Sequence, residues 1–285
     1  MISFNLCVVA VLVSVATLYL KSFVFNGGDV TYYSHSVVDT FSSDESCFVQ
    51  GITRLNDSSI IQCCGIYGKS RIQTLNLKTG QVSLLFTFGS DIFIEGCTRL
   101  STSTLIALTW KEKKLFVFDL VSNSLVKTVY YPYEGWGLTS DGLSTLWATN
   151  GSSSLITLDS NYTVKSTCQV TLNNQPVKYL NALAHSDGLI YANVYINVRP
   201  PLYPNYIVRF DLACRVNGVI PIFGLHKPKG LGSVLNGIIA EDDGLIVTGK
   251  QWPKLFKIKV TPTAIHETWK SEPLEKFMTG PDPLR

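Results

Sequence analysis

The sequence predicts an all-β protein, a five-bladed β-propeller preceded by one N-terminal hydrophobic helix. Three observations lead to this fold class: strand-favouring composition, a phrase repeated at the period of a propeller blade, and no long amphipathic helical pattern after residue 21. The 285 residues include 13 Tyr and 14 Phe, and 46% are hydrophobic against 16% charged. Such a composition favours strands around an ample core. The net charge of +3 comes from scattered basic residues and indicates no nucleic-acid partner.

The first 21 residues are predicted to be a signal anchor or a signal peptide. Residues 2–20 carry no charge and approach the length that spans a bilayer as a helix. Ser14-Val15-Ala16 resembles a signal-peptide cleavage site, and a buried core helix is the remaining alternative. Residues 22–30 then form a tether, 31–262 the propeller and 263–285 a C-terminal tail.

The N-terminal segment places the rest of the chain in the secretory pathway, either anchored to the membrane in the ER or Golgi lumen or secreted. Three glycosylation sequons, at Asn56, Asn150 and Asn161, agree with this location. The chain has seven cysteines, six of them beyond the apolar segment, and six allow fifteen disulfide connectivities. The sequence has no C-x-x-C, and its four histidines are far apart, so no metal site is predicted.

The repeated phrase is a short strand built around a small residue. The small residues stand at 51, 96, 137, 182 and 237, which gives spacings of 45, 41, 45 and 55 residues. These spacings match the four-stranded blade of a propeller. The excess in the last interval falls at a proline-rich stretch, 199–204, which we expect to be a surface loop. The copies are Gln50-Gly51-Ile52, Glu95-Gly96-Cys97, Trp136-Gly137-Leu138, Asn181-Ala182-Leu183 and Asn236-Gly237-Ile238.

Each copy is followed by a polar turn and further apolar strands. The turn Ser140-Asp141-Gly142, for example, leads to a second strand at 146–148. A strand over 31–41 precedes the first copy, so we expect it to complete the last blade and close the ring, which removes free sheet edges. The third strands of the blades are predicted at 71–77, 115–120, 154–158, 207–212 and 254–260.

Polar side chains occupy the position immediately before each small residue. In a propeller these positions face the central channel, where structure alone would favour small or aliphatic residues. A ring of amides, a carboxylate and an indole therefore predicts a pocket for a small polar ligand. The alternative is that these side chains cap one another's backbones. The ring consists of Gln50, Glu95, Trp136, Asn181 and Asn236.

Many phrases in one order resemble the glutaminyl-peptide cyclotransferases of the plant and bacterial type, a family of five-bladed propellers. They run from about Phe48 to Val260. The phrases are FVQGI from Phe48, GIYGKS from Gly65, FIEG from Phe93, LTWKE from Leu108, YEGWGLT from Tyr133, YLNALA from Tyr179, IYANV from Ile190, LNGI from Leu235 and VTGKQWPKLF from Val247.

The resemblance implies an enzyme that closes the N-terminal glutamine of a peptide or protein to pyroglutamate and releases ammonia. It implies no cofactor, and we expect a monomer. By similarity Glu95 is the general acid and base, and Lys250, Asn181 and Gln50 contact the substrate and its developing oxyanion. From its place after Thr-Gly, Lys250 is also a candidate partner for Glu95. The aromatic wall implied by the resemblance consists of Phe48, Phe93, Trp110, Trp136 and Tyr195.

The chain also departs from the family pattern. Two family glutamates are replaced by Ala182 and Ala184, and we expect their loss near the pocket to weaken recognition of the substrate amine. Gln62 stands where the family often has Glu, Asn150-Gly151 replaces Asp-Gly, and Tyr195 replaces Trp. A catalytically degenerate propeller that binds peptides or proteins is therefore the alternative function. A metal-dependent propeller that hydrolyses sugars or lactones is the third, although the ring offers a single carboxylate.

The stretch from Tyr133 to Gly142, YEGWGLTSDG, contains a second candidate acid, Glu134. It lies two residues before Trp136, outside the phase of the channel positions. We therefore expect Glu134 to support the pocket by a hydrogen bond or by pairing with a base, and Glu95 to perform the chemistry.

Overall fold

The computed structural model describes residues 30–195, 205–227 and 232–263. Within these ranges the fold is all-β, with 22 strands and no helix. No helix in the described part of the chain has the length and apolar character needed to cross a membrane. The N-terminal helix and anchor predicted over 1–21, most of the tether, the loop at 199–204 and the tail beyond residue 263 lie outside the described residues.

The strands follow one another along the chain with short connections. In order they are β1 (Thr31–Ser42), β2 (Val49–Asn56), β3 (Ser59–Cys64), β4 (Arg71–Asn76), β5 (Val82–Thr87), β6 (Ile94–Arg99), β7 (Thr104–Thr109), β8 (Lys114–Asp119), β9 (Ser124–Tyr130), β10 (Leu138–Ser140), β11 (Leu146–Ala148), β12 (Ser154–Leu158), β13 (Val164–Gln169), β14 (Thr171–Leu172), β15 (Gln175–Pro176), β16 (Leu180–Ser186), β17 (Leu189–Val194), β18 (Asn205–Asp211), β19 (Val216–Ile222), β20 (Leu235–Glu241), β21 (Gly244–Gly249) and β22 (Lys254–Pro262).

Most strands belong to antiparallel sheets made from consecutive segments. Three sheets have four strands each, in the orders β2-β3-β4-β5, β6-β7-β8-β9 and β10-β11-β12-β13. An eight-stranded sheet has the order β16-β17-β18-β19-β1-β22-β21-β20, and β14 pairs with β15 alone. Within the large sheet, β1 pairs antiparallel with β22 and touches β19 through a short parallel ladder. The prediction that the 31–41 strand completes the last repeat is therefore confirmed.

The first strand of each repeat lies on a common central channel. β2, β6, β10, β16 and β20 contact one another in that order, and β20 contacts β2 to close the cycle. This arrangement is propeller-like. The repeated small residues permit the close approach, because a Cβ at Gly96 would lie 2.5 Å from the Trp136 carbonyl oxygen and a Cβ at Gly137 would overlap that of Asn181.

Apolar side chains fill the space between neighbouring sheets. In one cluster Leu108 and Val117 of the second sheet pack with Leu146 and Ile156 of the third. Burying a large aliphatic side chain of this kind stabilises the fold by about 1.5–3 kcal/mol. The sheets are therefore held face to face by their cores, and the channel ends are left to polar residues.

The turns follow the sequence prediction closely. The strand predicted at 146–148 matches β11, and Asp141 in the preceding turn accepts hydrogen bonds from the backbone N–H groups of Leu143, Ser144 and Thr145. Partial burial by itself would raise the pKa of Asp141, but these bonds favour the carboxylate and lower the pKa to about 2. The Asp-Gly signals thus mark turns because the carboxylate satisfies the turn's own donors.

Three disulfides, which the sequence left open among fifteen connectivities, are formed in the structure. They join Cys47 to Cys64, Cys63 to Cys97 and Cys168 to Cys214. The second bond ties β3 of one sheet to β6 of the next. The channel-facing strand β6 is therefore covalently attached to the sheet before it.

A methyl group at Gly137 tests the close approach of the channel strands. We expect Gly137→Ala to lower the free energy of unfolding by about 3 kcal/mol, because the new Cβ meets backbone that has no room to move. Gly89→Ala is the matched control, since its Cβ meets the movable Asp91 side chain, and we expect a loss under about 1 kcal/mol. Urea unfolding followed by fluorescence measures both values. Equal losses would contradict close packing at Gly137.

Candidate active site

One pocket contains every side chain that the family resemblance assigned to the site, and four of the five members of the predicted polar ring. Its volume is about 330 Å³. The pocket lies at one end of the channel, where the first strands of the repeats begin and the second strands end. Its lining residues are Phe48, Gln50, Phe93, Glu95, Trp110, Trp136, Asn181, Tyr195 and Lys250. The structure therefore brings the predicted residues together, while their individual roles stay predictions.

An irregularity in the strand pairing recurs where the polar residues stand. In four of the first strands the pairing register with the second strand shifts across the position before the small residue. A bulge of this kind turns a side chain away from the regular alternation of a strand. Three of the four residues line the pocket. The residues at the shifts are Gln50, Glu95, Asn181 and Asn236.

The fourth residue, Asn236, differs from the predicted ring because it does not line the pocket. Its side-chain amide donates to the Val49 carbonyl oxygen at 3.1 Å and to Gln50 Oε1 at 2.7 Å. For Asn236 the alternative prediction, that a ring side chain caps a neighbouring backbone, is therefore correct, whereas Gln50 faces the pocket. Because Asn236 occupies Gln50 Oε1, it leaves the Gln50 Nε2 group as the donor for a bound molecule.

Glu95 is the buried acid of the pocket, with only 6% of its surface exposed. Its burial raises the pKa well above the usual range for a carboxyl. Lys250 opposes this shift, whereas the charges of Glu112 and Glu134 add to it. No described residue donates a hydrogen bond to the Glu95 side chain. Hydrogen bonding from the described residues therefore does not stabilise the ionised carboxylate. A protonated Glu95 can give a proton to a bound molecule and take one back.

Lys250 is the buried cation of the same pocket. Its ammonium lies 4.9 Å from the ring centroids of both Phe48 and Tyr195. Burial lowers the pKa of Lys250, and the negative charge of Glu95 raises it in part. The two aromatic faces favour a cation here, so they offset some of the desolvation.

Aromatic rings form the wall around these groups. Phe93 and Trp110 lie 5.4 Å apart between centroids, and Trp136 meets Tyr195 edge to face at 5.7 Å. Trp136 also packs on Gly151, where the positive φ of 77° and the nearness of the indole leave no room for a Cβ. Opposite the wall, the Asn181 Oδ1 atom is buried and accepts no hydrogen bond from a described residue. The pocket therefore combines the polar side chains of Gln50, Glu95, Asn181 and Lys250 with an aromatic wall.

The family model for glutamine cyclotransferases matches residues 7–260 of the chain. The chain belongs to the glutamine cyclotransferase family. It is 33% identical over 233 residues to a glutaminyl-peptide cyclotransferase of Arabidopsis thaliana, covering 79% of this chain and 70% of that protein. The crystal structure of Myxococcus xanthus glutaminyl cyclase superimposes with a TM-score of 0.70 at 24% identity, over 83% of this chain and 100% of that one. This last likeness shows the shared propeller-like fold.

The departures from the family pattern lie mostly away from the pocket. Ala184 lines a different cavity of about 390 Å³, together with Arg54 and Arg99, so the expectation that it flanks the pocket is wrong. The register shift in β16 separates it from Asn181. Ala182 lines neither cavity.

The other replaced positions have structural roles. Gln62 is fully buried, accepts a hydrogen bond from Gln73 Nε2 at 3.0 Å, and does not line the pocket. Asn150 accepts hydrogen bonds from the Ser152 hydroxyl and backbone N–H, which organises the turn that carries Gly151. Tyr195 occupies the wall with its ring against Trp136.

Two residues at the mouth of the pocket were missed by the sequence interpretation. Tyr67 packs on Phe93 at 5.2 Å between centroids and donates its hydroxyl hydrogen to Glu112 Oε1 at 2.7 Å. Both stand inside phrases that carried the family resemblance, GIYGKS and LTWKE. Glu134 behaves as predicted, because it accepts a hydrogen bond from Trp136 Nε1 at 3.4 Å.

The raised pKa of Glu95 predicts that its ionisation destabilises the fold. The folded protein keeps this proton to a higher pH than the unfolded chain does, so stability falls as pH rises above the ordinary carboxyl range toward the folded pKa. Glu95→Gln resembles the protonated side chain and does not titrate. We expect its melting temperature to exceed that of the wild type by a margin that grows between about pH 5 and pH 8.

Calorimetry at several pH values measures this margin. Asp243→Asn, at an exposed carboxylate paired with Lys257, is the control and should keep a constant offset over the same range. A Glu95→Gln margin that is flat or shrinks with pH would show that Glu95 ionises without cost.

Proposed function

We propose that the protein is a glutaminyl-peptide cyclotransferase, which converts the N-terminal glutamine of peptides or proteins to pyroglutamate and releases ammonia. The observation that carries this proposal is the buried, unpaired Glu95 carboxyl inside the aromatic pocket of a glutamine cyclotransferase family member. The pocket volume of about 330 Å³ suits one glutamine side chain with its α-amine folded back toward the carboxamide.

Glu95 moves the proton in this mechanism. The α-amine nitrogen attacks the γ-carbonyl carbon, and the carbon–nitrogen bond of the carboxamide then breaks. The attacking amine loses one proton and the departing NH₂ group gains one, so a single carboxyl suffices to shuttle it. A raised pKa suits both steps, because such a carboxyl is a stronger base toward the amine than an ordinary carboxylate and can return the proton to the departing nitrogen.

Lys250 and the two amides stabilise the oxyanion that forms on the γ-carbonyl oxygen. Lys250 supplies a cation, and Gln50 supplies an amide N–H whose direction is set by Asn236. Asn181 also lines the pocket and brings a second side-chain amide, whose NH₂ group can donate a hydrogen bond to the substrate. The aromatic wall holds the glutamine and excludes water, which would otherwise compete with the amine.

We also propose the finer architecture and the cellular setting. The eight-stranded sheet is two blades joined at β1, which gives five blades over 31–262, and the chain acts as a monomer. The segment 1–21 directs the protein into the secretory pathway as a signal anchor or a signal peptide. The three disulfides support an oxidising compartment, and the sequon residues Asn56 and Asn161 are exposed for glycosylation.

Ammonia release from a Gln-initiated peptide tests the proposed activity. We expect purified protein to release ammonia without added metal, and a metal chelator to leave the rate unchanged. Glu95→Gln should lower kcat by at least about 100-fold, because the proton shuttle is lost. Asp243→Asn, remote from the pocket, is the control for folding and handling.

A peptide that binds without releasing ammonia would instead favour the degenerate peptide-binding propeller. Binding is followed by tryptophan fluorescence, since Trp110 and Trp136 line the pocket. Mass spectrometry of the product should show the loss of one ammonia from peptides that begin with Gln and none from matched peptides that begin with Ala.

Expression of the full chain in eukaryotic cells tests the proposed location. We expect a glycosidase that removes N-linked glycans to increase gel mobility, because two exposed sequons enter the lumen. The shift should disappear in the Asn56→Gln/Asn161→Gln variant if these are the occupied sites. A wild-type chain that carries no glycan and has free thiols would contradict the secretory location.

A further inference from the structure

Two carboxylates lie at the mouth of the pocket, and each is attached to an aromatic residue of its wall. Glu112 accepts the Tyr67 hydroxyl hydrogen at 2.7 Å through Oε1, and its Oε2 accepts from the Phe93 backbone N–H at 3.5 Å. Glu134 accepts from the Trp136 indole at 3.4 Å. The carboxylates are therefore held in place beside the opening.

The donors that hold these carboxylates are uncharged, so the negative charges stay uncompensated. Neither Glu112 nor Glu134 forms an ion pair with a described residue. The Tyr67 phenol stays neutral, because its hydrogen bond to Glu112 raises its pKa to about 12. Both carboxylates also act on Glu95 at the base of the pocket. A molecule that enters the pocket passes through a region of negative potential.

Two lysines at the pocket oppose the negative charge of Glu112 and Glu134. Lys250 is buried inside the pocket beside Glu95. Lys111 is exposed at the mouth, with its ammonium 4.0 Å from the centroid of the Trp110 ring. Of the aromatic residues at the opening, Tyr67 and Trp136 each hold a carboxylate and Trp110 holds a cation, so carboxylates outnumber cations on the wall itself.

We propose that the mouth selects substrates with a basic side chain, Lys or Arg, directly after the N-terminal glutamine, and that Glu112 and Glu134 are the specificity-determining residues. This inference rests on the proposed function. When the glutamine reaches Glu95, the next residue leaves the enclosed pocket beside Tyr67 and the two carboxylates. A basic side chain meets an opposite charge there, and an acidic one meets repulsion.

Three peptides of equal length, beginning Gln-Lys, Gln-Ala and Gln-Glu, test the proposal with the full protein. We expect kcat/KM to fall from the first to the third by about fivefold or more at low salt, and mainly through KM, as for a partly exposed charge pair. The preference should shrink at high ionic strength, where such charges are screened.

Matched variants separate the effect of the negative charges of Glu112 and Glu134 from the effect of their hydrogen bonds to the aromatic wall. In Glu112→Gln/Glu134→Gln each new side chain can still accept the Tyr67 or Trp136 hydrogen bond through its one oxygen, so both charges are lost and only the long bond from Phe93 N–H at 3.5 Å is given up. The Gln-Lys over Gln-Glu ratio should fall to about one, since no charge pair remains at the mouth. Tyr67→Phe removes a hydrogen bond and keeps both charges, so it should retain most of the preference. Asp243→Asn should retain all of it.

A preference that survives in the double glutamine variant, or a wild type that treats the three peptides alike, would overturn the assignment. The same peptides are titrated against Glu95→Gln by tryptophan fluorescence, which measures their dissociation constants without turnover. A binding preference for Gln-Lys without ammonia release would refute the proposed function and uphold the acidic mouth. Cyclisation with no charge preference would do the reverse.

Discussion

The site depends on the close approach of the channel strands at their small residues. Gly96 N donates to the Trp136 carbonyl oxygen at 2.7 Å, the Thr149 hydroxyl donates to the Asn181 carbonyl oxygen at 2.9 Å, and Asn236 reaches the Val49 carbonyl oxygen. The first bond links β6 to the segment before β10, the second links the residue after β11 to β16, and the third closes the cycle between β20 and β2. Because the strands are fixed at the same level, the residue before each small residue lies at the same height in the channel. Catalytic geometry is in this way a consequence of backbone packing, and it is held by rigid elements.

Burial then sets the chemistry of the two ionisable groups inside. Glu95 and Lys250 are both removed from water, which raises the pKa of the acid and lowers that of the amine. Each charge offsets part of this effect at the other group, because Lys250 lowers the pKa of Glu95 and Glu95 raises that of Lys250. The rings of Phe48 and Tyr195 favour the charged ammonium, and the neighbouring carboxylates favour the protonated acid. A substrate that brings its own amine and carbonyl into this enclosure therefore meets an acid and an amine whose pKa values burial has moved from their ordinary ranges.

The sequence predicted the repeat and the turns well, because these depend on periodicity. Periodicity also predicted four of the nine residues that line the pocket, and the family resemblance supplied the other five. Aligning the five repeats on their small residues was enough to place Glu95, and not Glu134, at a channel position. The failures involve contacts between segments from different repeats or the position of a residue along the channel. Tyr67 contacts Glu112 only because two loops from neighbouring sheets converge. The residue spacing within one repeat does not predict a contact between two repeats. Ala184 lies at the other cavity because β16 continues along the channel beyond Asn181, and the consecutive residues Leu183, Ala184 and His185 all line that cavity.

The acidic mouth links recognition to the acid at the base of the pocket. Glu112 and Glu134 raise the pKa of Glu95 through their negative charge, and the same charge attracts a cationic peptide terminus. A positive group bound at the mouth offsets their effect on Glu95 and favours its ionised form, which is the form that accepts a proton from the amine. Before binding, the protonated carboxyl avoids the cost of a bare charge in an apolar pocket. In the proposed mechanism, the arrival of a cationic substrate shifts Glu95 toward the base at the moment when a base is required.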